Sequence, residues 1–422
     1  MSNIVDDLEW RGLIAHSTDL DALRAALAAG PVGFYVGFDP TAPSLHMGNL
    51  LQLITARRLQ LAGHRPYALV GGATGMIGDP RDSGERTLNT LETVQDWVER
   101  VRSQIEPFLD FDGDAAATMV NNYDWTSELS TIDFLREVGK HFPVNRMLAR
   151  ETVRRRLESG ISYTEFSYVL LQSMDFLTLF REQGVTLQFG GSDQWGNITS
   201  GVELIRRSAG GHAHAFATPL VTKADGTKYG KTEGGAMWLD PEMMSPFAFF
   251  QFWMNVEDEK VGELLRLFTF YSRERILDLE AQTAEKPFLR AGQRALAEHV
   301  TSMVHGAEET ARIQAAAAAL FGGGELVGGS ALTAALREAG SVTIEEVATL
   351  PSLVDLLVTT GLAQSRGEAR RTISEGGAYL NNQRVSDVEK VPTFDDLIDG
   401  SWLVLRRGKK TVAGVEVTRS KG

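Results

Sequence analysis

Cysteine is absent from this chain of 422 residues. Its absence excludes disulfides, thiolate zinc sites and cysteine nucleophiles, so any chemistry must use oxygen and nitrogen groups. The chain also lacks an uninterrupted apolar run long enough for a membrane-spanning helix. Asp6, Asp7 and Glu9 stand where a secretory or transit peptide needs positive charge, so we expect a cytoplasmic protein with no membrane partner.

Positive charge is scarce and unevenly placed. The formal net charge is -13, yet residues 361–422 hold 11 Lys or Arg against 8 Asp or Glu, which leaves -16 for the residues before them. An acidic body argues against a protein that coats nucleic acid with its whole surface, and the basic tail suggests a division of labour. With 43% apolar and 23% charged residues, the chain is typical of folded globular proteins, and its length predicts two or three domains.

Apolar, β-rich runs alternate with helical patterns through the first half. The expected strands lie at 32–38, 66–70, 118–122 and 186–189, and the expected helices at 50–61, 91–109 and 165–182. This alternation predicts an α/β fold, a doubly wound, Rossmann-like parallel sheet over residues 1–240. Beyond it we predict a helical bundle over 241–320, a glycine-rich flexible linker over 321–349 and a small α+β module over 350–422.

Two glycine clusters fail the spacing rules of familiar nucleotide-binding motifs. Gly71 to Gly78 follows a predicted strand but lacks the G-x-G start of the dinucleotide fingerprint. Gly226 to Thr232 has three residues between its glycines, where the Walker loop has four. Neither a dehydrogenase nor a Walker-type nucleoside triphosphatase is supported.

A more informative segment runs from Tyr35 to Leu50, where a predicted strand leads through a turn into a helix that begins near His46. Helix amino ends bind anions through free N–H groups and the helix dipole, so a polyphosphate can rest here with His46 and Thr41 as donors. Gly48 leaves room for a ligand beside the backbone. The plainer alternative is a capped helix with an incidental histidine.

A second candidate is the lysine loop, Lys228-Tyr229-Gly230-Lys231-Thr232. Two lysines three residues apart can meet the charge that grows on a departing polyphosphate. Alone, such a segment is usually a solvated surface loop.

Together these two segments resemble the HIGH and KMSKS signatures of class I aminoacyl-tRNA synthetases. Five segments in order resemble the bacterial tyrosyl-tRNA synthetases: Tyr35 to Leu50, Gly71 to Pro80, Asn121 to Trp125, Gly190 to Asn197 and the lysine loop. The resemblance covers nearly the whole chain, including the tail, which resembles a small RNA-binding domain of a ribosomal small-subunit protein. Asn49 replaces the second histidine of HIGH, and the loop Arg81 to Arg86 stands where the family often has a lysine.

The predicted helix at 165–182 carries Tyr168, Gln172 and Asp175 at i, i+4 and i+7, which places three polar groups on one face. They either line a pocket or are core polar residues bonded to neighbouring backbone. The resemblance implies a pocket, with Tyr35 and Asp175 at the hydroxyl of a bound tyrosine. It places Asp79, Tyr168 and Gln172 around the ammonium group of the tyrosine and Gln194 at its carboxylate.

The implied activity is tyrosine–tRNA ligation: L-tyrosine and ATP give tyrosyl-adenylate and pyrophosphate, and the tyrosine then passes to the 3′ end of tRNA(Tyr). Thr41, His46, Lys228 and Lys231 are the implied catalytic groups. The implied ATP site adds Gly37, Asp39, Asn49, Arg86, Gly191 and Asp193. We expect Mg²⁺ to accompany the ATP phosphates, and we expect no metal bound by the protein itself.

The implied partner of the tail is tRNA. Residues 241–320 would contact its anticodon, and the tail would supply cations from Arg366, Arg370, Arg371, Arg384, Arg406, Arg407, Lys409 and Lys410. A solvated face is the plainer interpretation of this cluster. The resemblance also implies a homodimer, in which the aromatic stretch Tyr123 to Met147 is either the interface or ordinary core.

The sequence leaves three rival functions open. A tryptophanyl-tRNA synthetase is the nearest, although Asp175 with Tyr35 favours tyrosine. A non-catalytic RNA-binding or splicing scaffold would have no need to keep the implied catalytic side chains. A small adenylyltransferase would lack the helical and tail modules.

Overall fold

The structure is a computed structural model that describes residues 3–80, 84, 88–222, 229, 231–232, 235–322, 326–345, 349–408 and 411–418. The chain divides into two compact units, Met1–Met243 with Glu257–Gly292, and Met244–Val256 with Gln293–Gly422. Within the described ranges, no helix has the length and apolar character needed to cross a bilayer.

A six-stranded sheet organises the first unit. Its strands are β1 His16–Ser17, β2 Gly33–Phe38, β3 Arg65–Val70, β4 Thr118–Asn121, β5 Val185–Gly191 and β6 His214–Thr218. They lie in the order β1-β6-β5-β2-β3-β4, and only the pairing of β1 with β6 is antiparallel. The order runs outward from β2 to β4 on one side and from β5 to β6 on the other, which confirms the predicted doubly wound parallel sheet.

Helices accompany the strands in both units. In chain order they are α1 Ile4–Arg11, α2 Leu20–Ala29, α3 Met47–Leu61, α4 Thr74–Ile77, α5 Leu91–Ile105, α6 Tyr123–Thr126, α7 Thr131–Asp133, α8 Val144–Leu148, α9 Glu151–Arg156, α10 Tyr163–Gln183, α11 Trp195–Ala209, α12 Pro246–Met254, α13 Asp258–Phe268, α14 Arg273–Glu285, α15 Ala291–His305, α16 Ala307–Gly322, α17 Ser330–Ala339, α18 Leu353–Thr359 and α19 Arg366–Ser374.

The sheet is buried on both faces, which explains its nearly continuous apolar strands. On β2, Phe34 and Tyr35 point to opposite faces because successive strand side chains alternate. Phe34 packs on one side against Phe189, and the Tyr35 ring lies 5.4 Å from that of Phe176 on the other. Helix α10 therefore lies on the Tyr35 face, where its polar stripe can meet the ends of β2 and β5.

The second unit contains α12, most of α15, α16–α19 and a five-stranded sheet. Its strands are β9 Ser341–Glu345, β10 Ala378–Leu380, β11 Gln383–Val385, β12 Trp402–Arg407 and β13 Thr411–Thr418, in the order β11-β10-β12-β13-β9. Leu353, Leu357 and Ile373 of its helices pack against Leu403 and Leu405 of β12. This arrangement confirms the predicted C-terminal α+β module.

The structure differs from the expectations in two places. The segment predicted as a flexible linker over 321–349 contains α17 and β9, and β9 pairs parallel with β13. The glycine-rich sequence FGGGELVGGS led to the linker prediction. The helix α17 that follows it has an apolar face, in which Ala331, Leu332, Ala335 and Leu336 are buried. Strand β6 was not predicted either, because its sequence HAFAT is short and begins with histidine. The domain boundaries at 240, 320 and 349 stay predictions.

Candidate active site

A cavity of about 420 Å³ lies in the first unit at the carboxyl ends of β2 and β5. These are the strands where the sheet order reverses, which is the usual place for ligands of open α/β sheets. Its lining includes thirteen residues of the expected tyrosine and ATP sites: Tyr35, Gly37, Asp39, Thr41, His46, Asn49, Asp79, Tyr168, Gln172, Asp175, Gly191, Asp193 and Gln194. The structure thus brings together residues from four separate segments of the chain, 35–49, 79, 168–175 and 191–194.

The deepest polar group is the Asp175 carboxylate, which is 2% exposed. One oxygen accepts a hydrogen bond from Asn122 Nδ2 at 3.0 Å and the other from Trp125 Nε1 at 2.9 Å. Burial raises the pKa of Asp175 to about 8, and the two donors oppose that rise because they favour the ionised form. Asn122 and Trp125 belong to a segment that the sequence singled out, but no role was predicted for them.

Tyr35 lies at the same end of the cavity and is also 2% exposed. Its hydroxyl oxygen accepts a hydrogen bond from Gln188 Nε2 at 2.6 Å. Burial, reinforced by the charge of Asp175, raises the pKa of Tyr35 well above its usual value, so the hydroxyl keeps its proton. Gln188 was missed, although a glutamine in the middle of the apolar strand VTLQFGG is the signal that could have identified it.

Asp39 was expected to contact ATP. In the structure its carboxylate is hydrogen-bonded to Tyr168, a member of the expected tyrosine site. It accepts from the Tyr168 hydroxyl at 2.6 Å and from Thr74 Oγ1 at 2.7 Å. Gly71 is required beside it, because a Cβ at that position would collide with Asp39 Oδ1 and Thr74 Oγ1. The glycine cluster that failed as a dinucleotide fingerprint therefore makes room for a carboxylate of the site.

Asp79 follows the glycine turn at the half-buried rim of the cavity. Its oxygens accept from Gln194 Nε2 at 2.9 Å and from Asn197 Nδ2 at 3.2 Å. Arg150 Nη2 in turn donates to Asn197 Oδ1 at 2.7 Å. Asn197 ends a segment that the sequence singled out, but no role was predicted for it, and Arg150 was not predicted. The bond from Asn197 to Asp79 spans 118 residues of sequence, and the bond from Arg150 to Asn197 spans 47.

His46 caps helix α3, and this cap determines which N–H groups at the start of the helix are available to an anion. Its Nδ1 accepts from the backbone N–H groups of Gly48 at 3.1 Å and Asn49 at 3.4 Å, while Asn49 Oδ1 accepts from His46 N. The imidazole already engages these two N–H groups, as in the capped helix that was the plainer alternative. The expected role of His46 and Thr41 as phosphate donors stays a prediction. An Nδ1 that accepts must be unprotonated, so the neutral ring carries its proton on Nε2.

The lysine loop is described only in part. Lys228 and Arg86 lie outside the described residues, as do Lys409 and Lys410 of the tail. Lys231 belongs to strand β7, Lys231–Thr232, which pairs antiparallel with β8, Gly235–Ala236. The pairing sets the Lys231 backbone opposite Ala236, a residue that lines the cavity.

The tail arginines differ in solvent exposure. Arg366, Arg370, Arg371, Arg384 and Arg407 are exposed. Arg406, which was expected to contact RNA, is 8% exposed, and its guanidinium lies 4.5 Å from the centre of the Tyr379 ring. Arg406 lies directly opposite Tyr379 in the pairing of β10 with β12, and packing beside that ring covers its side chain. Its low exposure does not fit the expected RNA contact.

A family model described as tRNA synthetases class I (W and Y) matches residues 27–322, and a tyrosine–tRNA ligase C-terminal domain matches residues 332–413. A tyrosine–tRNA ligase of Streptomyces coelicolor is 61% identical over 99% of this chain and 100% of its own length. This chain belongs to the tyrosine–tRNA ligase family. Another member, from Kineococcus radiotolerans, is 58% identical over 99% of both chains.

Solved structures agree with this family assignment. A C-terminally truncated mitochondrial tyrosyl-tRNA synthetase of Aspergillus nidulans has a TM-score of 0.70 and 29% identity, over 76% of this chain and 95% of its own. A tyrosyl-tRNA synthetase of Archaeoglobus fulgidus, complexed with L-tyrosine, has a TM-score of 0.56 and 17% identity over 73% of this chain and 99% of its own, which supports the fold. The full-length relatives favour the tyrosine–tRNA ligase family over the tryptophan, scaffold and adenylyltransferase alternatives.

Proposed function

We propose that this chain joins L-tyrosine to tRNA(Tyr) in two steps, through tyrosyl-adenylate. The observation that carries the proposal is the buried Asp175 carboxylate beside the Tyr35 hydroxyl at the closed end of the cavity. Gln188 donates to the Tyr35 oxygen, so the Tyr35 hydroxyl is left to donate a hydrogen bond to a substrate phenol. The carboxylate of Asp175 can accept the hydrogen bond that the phenol donates. Phenylalanine would leave this carboxylate desolvated and without that bond.

The ammonium group of the substrate fits the stripe on α10 and the nearby Asp79. Gln172 Oε1 is buried and has no hydrogen-bond partner within the described residues. The Tyr168 hydroxyl donates its proton to Asp39, so its oxygen can accept one from an ammonium group. Asp79 supplies the negative charge, and Gln194, which bonds to it, faces the carboxylate of the substrate.

The first reaction is attack of the tyrosine carboxylate on the α-phosphorus of ATP, with pyrophosphate leaving. It needs no nucleophile from the protein, so catalysis consists of positioning and of stabilising the charge on the phosphates. We assign this stabilisation to Thr41, His46, Lys228 and Lys231, with Arg86 as a further phosphate contact. We assign the remainder of ATP binding to Gly37, Asp39, Asn49, Gly191 and Asp193, and Mg²⁺ would accompany the phosphates.

The experiment that tests the first step is ATP–pyrophosphate exchange with tyrosine, tryptophan and phenylalanine as separate substrates. We expect exchange with tyrosine far above that with either competitor. Equal exchange with tryptophan would contradict the role of Asp175 and Tyr35.

Transfer to tRNA is assigned to the second unit, in which five tail arginines are exposed. Two of them, Arg366 and Arg407, form ion pairs with Asp355 and Glu368, which RNA phosphates would have to replace. Deleting residues 330–422 should leave adenylate formation nearly intact, because every cavity residue lies in the first unit. Charging of tRNA should fall sharply in the truncated protein. Normal charging by a folded truncated protein would show that the tail has another purpose.

A cytoplasmic homodimer completes the proposal. Several apolar side chains within or beside the stretch Tyr123 to Met147 are exposed, including Ile132 at 64% and Val144 at 60%. Exposed apolar side chains of this size commonly mark a contact surface. Analytical ultracentrifugation of the wild type and of Val144→Asp tests this, since we expect the substitution to shift the protein toward monomer.

A further inference from the structure

Behind Asp79 lies a chain of hydrogen bonds that reaches a cation outside the cavity lining. Arg150, the residue that precedes α9, donates to Asn197 on α11. Asn197 then donates to Asp79 Oδ1 at 3.2 Å and to Gln194 Oε1 at 2.9 Å, and Gln194 donates to Asp79 Oδ2. Arg150 is not among the cavity-lining residues, and its hydrogen-bonded connection to Asp79 runs through Asn197.

The direction of every bond in this chain follows from the chemistry of arginine. A guanidinium has donors and no acceptor, so Asn197 must turn its oxygen toward Arg150. Its amide nitrogen then faces Asp79 and Gln194. Because Gln194 receives that donor on its oxygen, its own nitrogen is directed at Asp79. Both carboxylate oxygens of Asp79 thus receive an amide donor, which favours the ionised form and holds it in one orientation.

The sequence makes space for this contact at Gly196, the residue before Asn197. A Cβ built on Gly196 would lie 2.6 Å from Arg150 Nη2, well inside van der Waals contact. Asp79 also acts on Arg150, because its charge favours the cation while burial lowers the pKa of the guanidinium. The glycine, the arginine and the carboxylate therefore form one arrangement assembled from three distant segments.

We propose that Arg150 is a positioning residue for the substrate's ammonium group, because it sets the orientation of the Asn197 and Gln194 amides that hold Asp79. This inference rests on the proposed function, in which Asp79 meets that ammonium group. Without the guanidinium, Asn197 can rotate its oxygen toward Asp79. Two facing acceptors repel, and the carboxylate loses its orientation.

Three variants test this in the full-length protein. Arg150→Met removes the donor, Arg150→Lys keeps a cationic donor on a shorter group, and Gly196→Ala displaces the guanidinium from the opposite side. Alanine is a better helix residue than glycine, so Gly196→Ala is not expected to unfold α11. Arg154→Met is the matched control, since Arg154 lies on α9 with an exposed side chain.

The readouts are KM for tyrosine and for ATP in pyrophosphate exchange, and the affinity for p-hydroxyphenylpropionate, which is tyrosine without its ammonium group. We expect Arg150→Met and Gly196→Ala to raise KM for tyrosine about tenfold, in line with a lost bond in a charged network, with little change for ATP or for the desamino analogue. Arg150→Lys should recover part of the loss, and Arg154→Met should match the wild type.

Two results would overturn the inference. One is an unchanged KM for tyrosine in both Arg150→Met and Gly196→Ala. The other is an equal loss of affinity for tyrosine and its desamino analogue, which would indicate general damage to the site. Failure of the wild type itself to exchange with tyrosine would instead overturn the proposed function.

Discussion

The two ends of the cavity are built differently. At the end that we propose for the phenol, called the phenol end, Tyr35 and Asp175 are each 2% exposed and already bonded to protein donors. At the end that we propose for the phosphates, called the phosphate end, Thr41 and His46 are exposed, and the imidazole Nδ1 caps its own helix. The phenol end thus presents groups desolvated and oriented in advance, whereas the phosphate end presents groups that water reaches.

This difference matches the task of each end. Selecting tyrosine over phenylalanine requires that a missing hydroxyl be costly, and the cost is large only where the unpaired group is buried. Stabilising a highly charged leaving group requires donors and cations that act as its charge develops. We therefore expect the buried phenol end to set specificity and the phosphate end, with the lysine loop, to set the rate.

The largest expected effect is on the lysine loop. Substituting Lys228 or Lys231 by Ala should lower the rate of adenylate formation by about a hundredfold, because each lysine stabilises charge that develops only in the transition state. Ground-state affinity for ATP should change far less. Pre-steady-state measurement of adenylate formation separates the two quantities, and a loss confined to ATP affinity would contradict the assignment.

The next effect concerns the phenol end. In assays above pH 8, where Asp175 is ionised, Asp175→Asn should reduce discrimination between tyrosine and phenylalanine by roughly ten- to a hundredfold, the range for a lost hydrogen bond to a charged group. Exchange assays with both amino acids measure it. Tyr35→Phe is a useful companion, since it removes the hydroxyl and keeps the ring. If a folded Asp175→Asn protein discriminates as well as the wild type, Asp175 does not meet the phenol.

Stability should depend on pH through the same carboxylate. Because burial raises the pKa of Asp175 from 3.8 to about 8, the native protein keeps a proton that the unfolded chain has released between these values. The contribution of Asp175 to the free energy of unfolding is fully present below pH 3.8 and is lost as the pH rises through about 8. Between pH 5 and 8, the wild type should lose up to about 1.4 kcal/mol per pH unit relative to Asp175→Asn. Chemical unfolding of both proteins across this window measures the difference, and parallel curves would refute it.

The smallest effect belongs to the basic tail. Arg370→Gln should weaken tRNA affinity a few-fold and reduce the dependence of log Kd on log salt by about one phosphate contact. Arg406→Gln is the contrasting variant: it should lower the stability of the tail, since its guanidinium packs on Tyr379. Binding titrations at several salt concentrations, with thermal unfolding as the control, distinguish the two arginines.

Local patterns predicted much of the fold and the site. Strand β2 and helix α10 were expected from their apolar periodicity, and the stripe of Tyr168, Gln172 and Asp175 faces the cavity. Several misses, among them Asn197 and Arg150, share one feature, which is that their role depends on a distant partner. Strand β9 pairs with β13, and the sequence of residues 341–345 alone does not identify β13 as its partner.

The amino-acid sequence by itself indicated most of the strands and helices of the first unit and the basic tail, from local periodicity and composition. The family resemblance of short ordered motifs indicated many of the side chains that line the cavity. Only the tertiary structure decided which donors orient those side chains: Gln188 for Tyr35, Asn122 and Trp125 for Asp175, and Arg150 through Asn197 for Asp79. Hydrogen bonds between residues 47 to 153 positions apart form where the sheet order reverses, and no local pattern carries that information.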